Sequence, residues 1–124
     1  MQFLSKFLPV ILTVVSVGFP AHSLKAVTWI IDEKNCEVYY EEEVHAMISL
    51  SCFKQACGAR DFVKKIKGVY LKNPPGELAK NPGSPYCKWL NGKVVQGRNS
   101  RGSQNDFCQA KDGSLIDLSA LGNK

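Results

Sequence analysis

The clearest pattern in the chain is an alternation between residues 44 and 52, where every second residue from Val44 to Cys52 is apolar. A period of two over this length predicts a half-buried β-strand. Residues 36–40 alternate in the same way, so the two runs predict a hairpin that turns at the glutamates of residues 41–43. Because that turn contains no Gly, Asn or Pro, a helix over residues 41–47 remains an alternative.

Shorter signals predict further elements on both sides of two breaks rich in Pro and Gly, at residues 73–76 and 81–85. Asp61 is a suitable N-terminal cap for a short helix, and Gly68 is a suitable end for it. The further elements are a strand at 27–31, a helix at 62–67, a helical turn that starts near Pro82, and strands at 94–95, 107–110 and 115–118.

These elements predict an α+β fold of small antiparallel sheets with one or two short helices, stapled by disulfides. The Pro/Gly breaks suggest where the chain divides. We expect a strand-rich N-terminal module at residues 24–72 (a hairpin plus a short helix), a linker at 73–80, and a C-terminal domain at 81–124 (a short helix plus an antiparallel meander).

Residues 1–23 have the order of segments that is typical of a cleavable secretory signal peptide. Lys6 supplies a positive charge, residues 7–19 are mostly apolar, and Ala21 and Ser23 are small residues before a cut after Ser23. The apolar run of about 13 residues is shorter than the roughly 20 residues of a transmembrane helix. No cysteine follows the run to carry a lipid. We therefore expect a soluble periplasmic or secreted protein with no transmembrane span after cleavage.

All five cysteines lie after the predicted signal peptide, at positions 36, 52, 57, 87 and 108. In an oxidising compartment cysteines of a small exported domain are expected to pair. Five is an odd number, so one thiol is left free or links to another chain.

Short motifs follow one another in a fixed order from Asn81 to Gly113. They are Asn81-Pro82, Ser84, Tyr86-Cys87, Gly92-Lys93, Gly102, Cys108 and Asp112-Gly113. In this order they resemble a small bacterial domain family of unknown function that is often labelled "putative haemolysin". The resemblance covers residues 81–118, about a third of the chain. Gly83 stands where the family has alanine, Asn91 replaces a family glycine, and the family's Trp-containing ending is missing.

The resemblance implies a bacterial envelope or secreted protein and a disulfide between Cys87 and Cys108. The family label implies little mechanism, so we do not infer lysis from it. Physical reasoning favours the same bond, because it would join the helical turn to a strand across 20 intervening residues. A loop of this size contributes about 3 kcal/mol in the chain-entropy model.

The other three cysteines compete for one bond. In the predicted hairpin Cys36 and Cys52 lie on one face and roughly opposite each other, so we favour that pair, with Cys57 as the free or intermolecular thiol. The local bridge from Cys52 to Cys57 is the main alternative, and a bond between Cys36 and Cys57 is a third.

We assign no catalytic, metal-binding or cofactor-binding residues. Residues 55–58 resemble a caspase motif in part, but Ala59 replaces its last glycine. The motif also requires a histidine about 50 residues before the cysteine, whereas His45 lies only 12 positions before Cys57. A zinc site at His45, Cys52 and Cys57 lacks a second ligand pair. Neighbouring carboxylates in residues 41–43 point in different directions, so we interpret them as a solvated acidic edge.

Basic residues dominate the centre of the chain, with eleven between residues 44 and 101 against Asp61 and Glu77, and the formal net charge is +5. A basic surface can contact anionic envelope polymers or lipid headgroups, although charged stretches are usually just solvated. The candidate contact residues are Trp89, Lys93, Arg98 and Arg101.

The sequence thus favours a non-enzymatic binding or structural module whose partner is an envelope component or another protein, with no nucleic acid expected. A second hypothesis is an inhibitor or effector that acts through the loop at residues 97–105. A third, suggested by the family label and the positive charge, is a membrane-active protein. The third lacks a long amphipathic helix with a basic face.

Overall fold

The structure is a computed structural model, and it describes residues 24–69 and 81–122. The predicted signal peptide at 1–23 and the predicted linker at 73–80 lie outside these residues. The strands are β1 (Ala26–Ile31), β2 (Lys34–Glu41), β3 (Ala46–Ser49), β4 (Lys93–Arg98), β5 (Gln104–Gln109) and β6 (Leu115–Asp117). The helices are α1 (Gly58–Ile66), α2 (Ser84–Trp89) and α3 (Leu118–Gly122).

The six strands form one closed antiparallel barrel in the order β1-β2-β3-β6-β5-β4. Strands that are consecutive in sequence pair as hairpins on each side of the Pro/Gly breaks, and two contacts join distant strands: Ile48 with Ile116, and Ile30 with Arg98. The prediction of an α+β fold with small sheets is therefore wrong. Strands from both sides of the breaks enter a single barrel, and the local patterns carried no information on this distant pairing.

The β1–β2 and β2–β3 hairpins use residues with positive φ where glycine is usual. Asp32 and Glu33 form the first turn at φ 52° and 65°, the backbone signs that a two-residue hairpin turn requires. The second turn ends at His45, with φ 53°. The hairpin predicted around the glutamates is present, and residues 41–47 form strand ends and this turn instead of a helix.

One core fills the barrel lumen. Its buried members come from five different strands: Ile31, Val38, Val95, Phe107 and Leu115. Residues from five strands can converge only on the inner side of a closed sheet, where every second residue points. Trp29 packs edge-to-face on Phe107, with ring centroids 5.6 Å apart.

A second core covers the outer face of the same strands. Tyr39, Ile48, Cys108 and Ile116 are opposite one another across the sheet and pack against the three helices. The helices contribute their buried side chains to this layer, among them Phe62, Ile66, Tyr86, Leu118 and Leu121. Much of the sheet is therefore apolar on both faces. No helix among the described residues is long and apolar enough to cross a membrane.

Helix α1 begins earlier than predicted, because its cap is Cys57 and not Asp61. The Cys57 sulfur accepts a hydrogen bond from the Arg60 N–H at 3.4 Å. Two further donors of the first turn reach the β5–β6 turn. The Gly58 N–H donates to Asp112 at 2.8 Å, and the Ala59 N–H donates to the Ser114 hydroxyl at 2.9 Å. These contacts fasten α1 to a segment 54 and 55 residues away.

The structure contains two disulfides, Cys87–Cys108 and Cys52–Cys57, and Cys36 is a free thiol. The predicted bond between Cys36 and Cys52 is therefore wrong, and so is the assignment of Cys57 as the spare thiol. The last paired residue of β3 is Ser49, opposite Val38, so the hairpin ladder ends before it reaches Cys36. Cys52 is instead the buried residue of a 3₁₀ turn, Leu50–Cys52, and bonds to the residue that caps α1.

Replacing Cys87 and Cys108 together by alanine is expected to lower the free energy of unfolding by about 3 kcal/mol, because the bond closes a loop of sequence separation 21. Urea unfolding followed by circular dichroism measures this loss. Cys36→Ala is the matched control and is expected to change stability by less than about 1 kcal/mol. A double variant that unfolds at the wild-type urea concentration would contradict the prediction.

Candidate functional site

Arg60 is the centre of a partly buried polar cluster between α1 and the end of β2. Its Nη2 lies 2.5 Å from Glu41 Oε1 and donates to the Tyr39 hydroxyl at 3.0 Å. The Tyr39 hydroxyl donates to the same Glu41 oxygen at 2.5 Å. The Arg60 and Glu41 side chains are only 14% and 15% exposed, so the pair is held away from bulk solvent. Arg60 Nη1 also reaches the exposed Glu43 at 3.3 Å.

The same guanidinium fastens the disulfide loop at residues 52–57. Its Nε donates to the carbonyl oxygens of Cys52 and Gln55, both at 3.1 Å, and its Nη2 reaches the Cys52 oxygen at 2.9 Å. A guanidinium carries five N–H donors in a fixed plane, which allows one side chain to bind two loops at once. Arg60 therefore joins α1, the end of β2 and the disulfide loop.

The charges in the cluster are fixed at neutral pH. Burial, followed by the hydrogen bond to Glu41 and its negative charge, raises the pKa of Tyr39 to about 12. The hydrogen bond from Tyr39, with that from Arg60, lowers the pKa of Glu41 below its usual value of 4.5. Tyr39 thus stays protonated as a donor, and Glu41 stays ionised as its acceptor.

An open cleft of about 670 Å³ lies above this cluster, between the β2–β3 turn and the disulfide loop. We call it the aromatic cleft, because Tyr40 and Phe53 line it and are 53% and 39% exposed. Phe53 packs edge-on against Tyr39, with ring centroids 5.5 Å apart, and the Lys54 ammonium lies 5.2 Å from the Phe53 ring. Leu24, 42% exposed, also lines the cleft.

The turns beside the cleft adopt backbone conformations that glycine normally supplies. Lys54 in the disulfide loop has φ 54°, and His45 in the β2–β3 turn has φ 53°. A non-glycine residue in this region is uncommon and persists where its surroundings hold it in place. At Lys54 those surroundings are the Cys52–Cys57 bond and the Arg60 hydrogen bonds.

The four predicted contact residues fall into two groups. Trp89, 49% exposed, ends α2 and lies near Lys93 at the start of β4 in the chain. Arg98 ends β4, and Arg101 lies in the following turn. Five steps along a strand span about 17 Å, so Lys93 and Arg98 lie at opposite ends of β4 and the set does not form one patch.

The loop that contains Arg101 is an ordered hairpin turn. Asn99 Oδ1 accepts hydrogen bonds from the N–H groups of Arg101 at 3.0 Å and Ser103 at 2.9 Å. The Asn99 N–H also donates to the Ser103 carbonyl at 3.0 Å. Gly102 supplies the left-handed conformation at φ 83°. Arg101 is therefore displayed on a hydrogen-bonded frame.

Two chemistries considered from the sequence meet structural obstacles. Cys57 is bonded to Cys52, so neither sulfur is available as a nucleophile or as a zinc ligand in this state. The glutamates are not one solvated edge either. Glu42 and Glu43 are exposed, but Glu41 is shielded by Arg60 and Tyr39. The sequence contained one indication of this difference. Glu41 lies two residues after Tyr39, so both side chains point to the same face of the sheet, the one that the helices cover.

No family model, curated protein or solved structure matches this chain in comparisons with known proteins. The resemblance of residues 81–118 to the haemolysin-labelled family stays a prediction.

The free energy of unfolding is expected to fall as the pH is lowered below 4.5, the ordinary value for Glu41. Because the folded state depresses the pKa of Glu41, the unfolded state binds protons more readily, and the stabilisation disappears as the pH falls through the folded pKa. Asp112, whose pKa is lowered by hydrogen bonds from Ser114 and Gly58, adds to the same acid sensitivity.

Glu41→Gln is expected to lose about 2 kcal/mol at pH 7 and to show a smaller acid-dependent loss than the wild type. Urea unfolding between pH 3 and pH 7 measures both effects. Glu37→Gln, which changes an exposed carboxylate on the same strand, is the control and should follow the wild-type curve. Parallel pH curves for wild type and Glu41→Gln would show that Glu41 is not stabilised as described.

Proposed function

We propose that this protein is a non-enzymatic binding module that acts outside the cytoplasm and holds a partner protein in the aromatic cleft. The proposal rests on the exposure of Tyr40 and Phe53 beside a cleft. The polar groups beneath that cleft already form hydrogen bonds with one another. Aromatic side chains left in solvent around a concave site are a common feature of protein-binding surfaces.

The composition of the cleft favours a protein over a polyanion as its ligand. Its positive side chains are Lys25, Lys54 and Arg60, and the three glutamates of residues 41–43 balance them. A nucleic acid or an anionic polymer requires an excess of positive charge, which this balance does not supply. Mixed charges around aromatic and arginine side chains are typical of interfaces between proteins.

The rigidity of the cleft supports tight binding. The Cys52–Cys57 bond and Arg60 hold the loop that presents Phe53, so little side-chain and loop entropy is lost when a partner binds. The proposed location rests on the predicted signal peptide, and the two disulfides are in keeping with an oxidising compartment.

Site-specific crosslinking in the native envelope tests the proposal. The photoreactive residue p-benzoylphenylalanine replaces Phe53 in one version and the exposed Lys65 of α1 in a control version. Mass spectrometry should identify a protein crosslinked from position 53 and missing from position 65. Equal products from both positions, or crosslinks to glycan alone, would contradict a protein partner in the cleft.

With the captured partner in hand, Phe53→Ala and Tyr40→Ala are each expected to weaken binding by about 2 kcal/mol, roughly 30-fold, as central aromatic residues of interfaces do. Isothermal titration calorimetry measures the dissociation constants, and Lys65→Ala is expected to leave them within about twofold. Wild-type affinity in both aromatic variants would refute the cleft as the site.

The ordered hairpin at residues 99–103 favours a second candidate, an inhibitor that inserts this turn into a target's cleft. Its hydrogen-bonded frame and the exposed Arg101 suit a target pocket with negative charge. In that case Arg101→Ala would abolish binding of the captured partner, and Phe53→Ala would not.

A further inference from the structure

The outer edge of β1 is largely unpaired. All six residues of β1 pair with β2, but only Ile30 pairs with β4, opposite Arg98. Within the described ranges, residues 26–29 have no paired strand residue on their second side. Alternate N–H and C=O groups of such an edge point outwards and can accept another strand.

The edge carries none of the features that normally prevent pairing. Its six residues contain no charge, no proline and no glycine, and four of them are β-branched. Two of the six exposed large apolar side chains of the described residues belong to this strand, Val27 and Ile30. Natural edges usually carry lysine, proline or a bulge, so this one is suited to binding a strand.

A groove of about 600 Å³ lies beside the edge. Residues 26–30 and the turn residues 99–101 line it, together with Asn35 of β2 and Met47 of β3. The Asn99 hydrogen bonds hold this turn in place. The free edge of four residues is about 13 Å long, which matches a short extended segment.

The charges around the groove select the chemistry of that segment. Arg101 lines the groove, and Arg98 lies at its closed end opposite Ile30. The acidic groups near β1 do not lie on its free side. Glu37 is opposite Thr28 on the side paired with β2, and Asp32 and Glu33 lie in the β1–β2 turn beyond Ile31. A segment with acidic side chains is therefore attracted to this edge.

We propose that the free edge of β1 binds an extended, acidic segment of a partner protein by β-strand addition. Main-chain hydrogen bonds to β1 supply the affinity, and Arg98 and Arg101 select acidic side chains. A second copy of this chain is a poorer occupant, because pairing β1 with β1 brings the same cations of both copies to one interface. The site is distinct from the aromatic cleft, so it stands or falls independently of the proposed function.

Peptide selection tests the proposal with synthetic ligands, so the natural partner need not be identified first. A phage library of random 12-residue peptides is panned against the immobilised full chain, and fluorescein-labelled synthetic versions of the selected peptides are titrated by fluorescence anisotropy. We expect peptides that alternate β-branched with polar residues and carry aspartate or glutamate. Arg101→Glu should weaken their binding at least tenfold, whereas Lys65→Glu, the same charge change on α1, should leave it within twofold.

Two measurements separate strand addition from a simple charge contact. N-methylation of the peptide on one alternate set of backbone nitrogens should abolish binding, and methylation of the other set should not, because only one set faces β1. Bound peptide should also slow amide hydrogen exchange at residues 26–29, while exchange at Phe53 stays unchanged.

Several results would overturn the proposal. Selected peptides that are basic or indifferent to Arg101→Glu would refute the acidic specificity. Binding that tolerates both sets of N-methyl groups would refute strand addition. Peptides lost on Phe53→Ala would place the ligand in the aromatic cleft, and a concentration-dependent dimer that peptide does not dissociate would show the edge to be occupied by a second copy.

Discussion

Closure of the barrel by two distant strand contacts is the constraint on which the structure depends. A strand of three to eight residues buries little surface by itself, and a small sheet gains stability from further strands and from packing against helices. The contact of Ile48 with Ile116 brings the C-terminal hairpins onto β3, and that of Ile30 with Arg98 completes the ring. Once the ring is closed, alternate residues fill the lumen around Phe107, and the opposite face presents the apolar surface that the three helices cover.

The aromatic cleft follows from how α1 is anchored on that ring. Cys57, Asp112 and Ser114 satisfy the first donors of the helix, which fixes its position over the outer face of the sheet. Arg60 then lies within reach of Glu41 and the disulfide loop, where one guanidinium holds both. Without this anchoring Glu41 would lack its ion pair with Arg60, and the loop that carries Phe53 would lack the Arg60 hydrogen bonds.

Local patterns in the sequence predict strands and helices, but they do not predict how these elements pair and pack. The alternation at residues 44–52 locates β3, and the Asp112-Gly113 turn places the start of β6. Pairing across the Pro/Gly breaks depends on which apolar faces meet, and the patterns on both halves fit separate sheets equally well. The Cys52–Cys57 bond has no local signal that favours it over its rivals, because the 3₁₀ turn that ends at Cys52 has no side-chain cap to mark it in the sequence. Arg60 has no local signal in the sequence for its role in the cluster, since Glu41 and Tyr39 are 19 and 21 residues away from it.

The way the ring closes also determines where the surface is incomplete. Because Ile30 is the one β1 residue that pairs with β4, the two strands overlap only at their ends, and the first four residues of β1 run on beside the hairpin turn. A longer overlap would have paired these residues and removed the groove. An unprotected apolar edge exposes a chain to aggregation, and the six residues of β1 carry no lysine, no proline and no bulge in their pairing with β2. The short closure that suffices to form the fold therefore leaves open the edge that we assign to a partner strand.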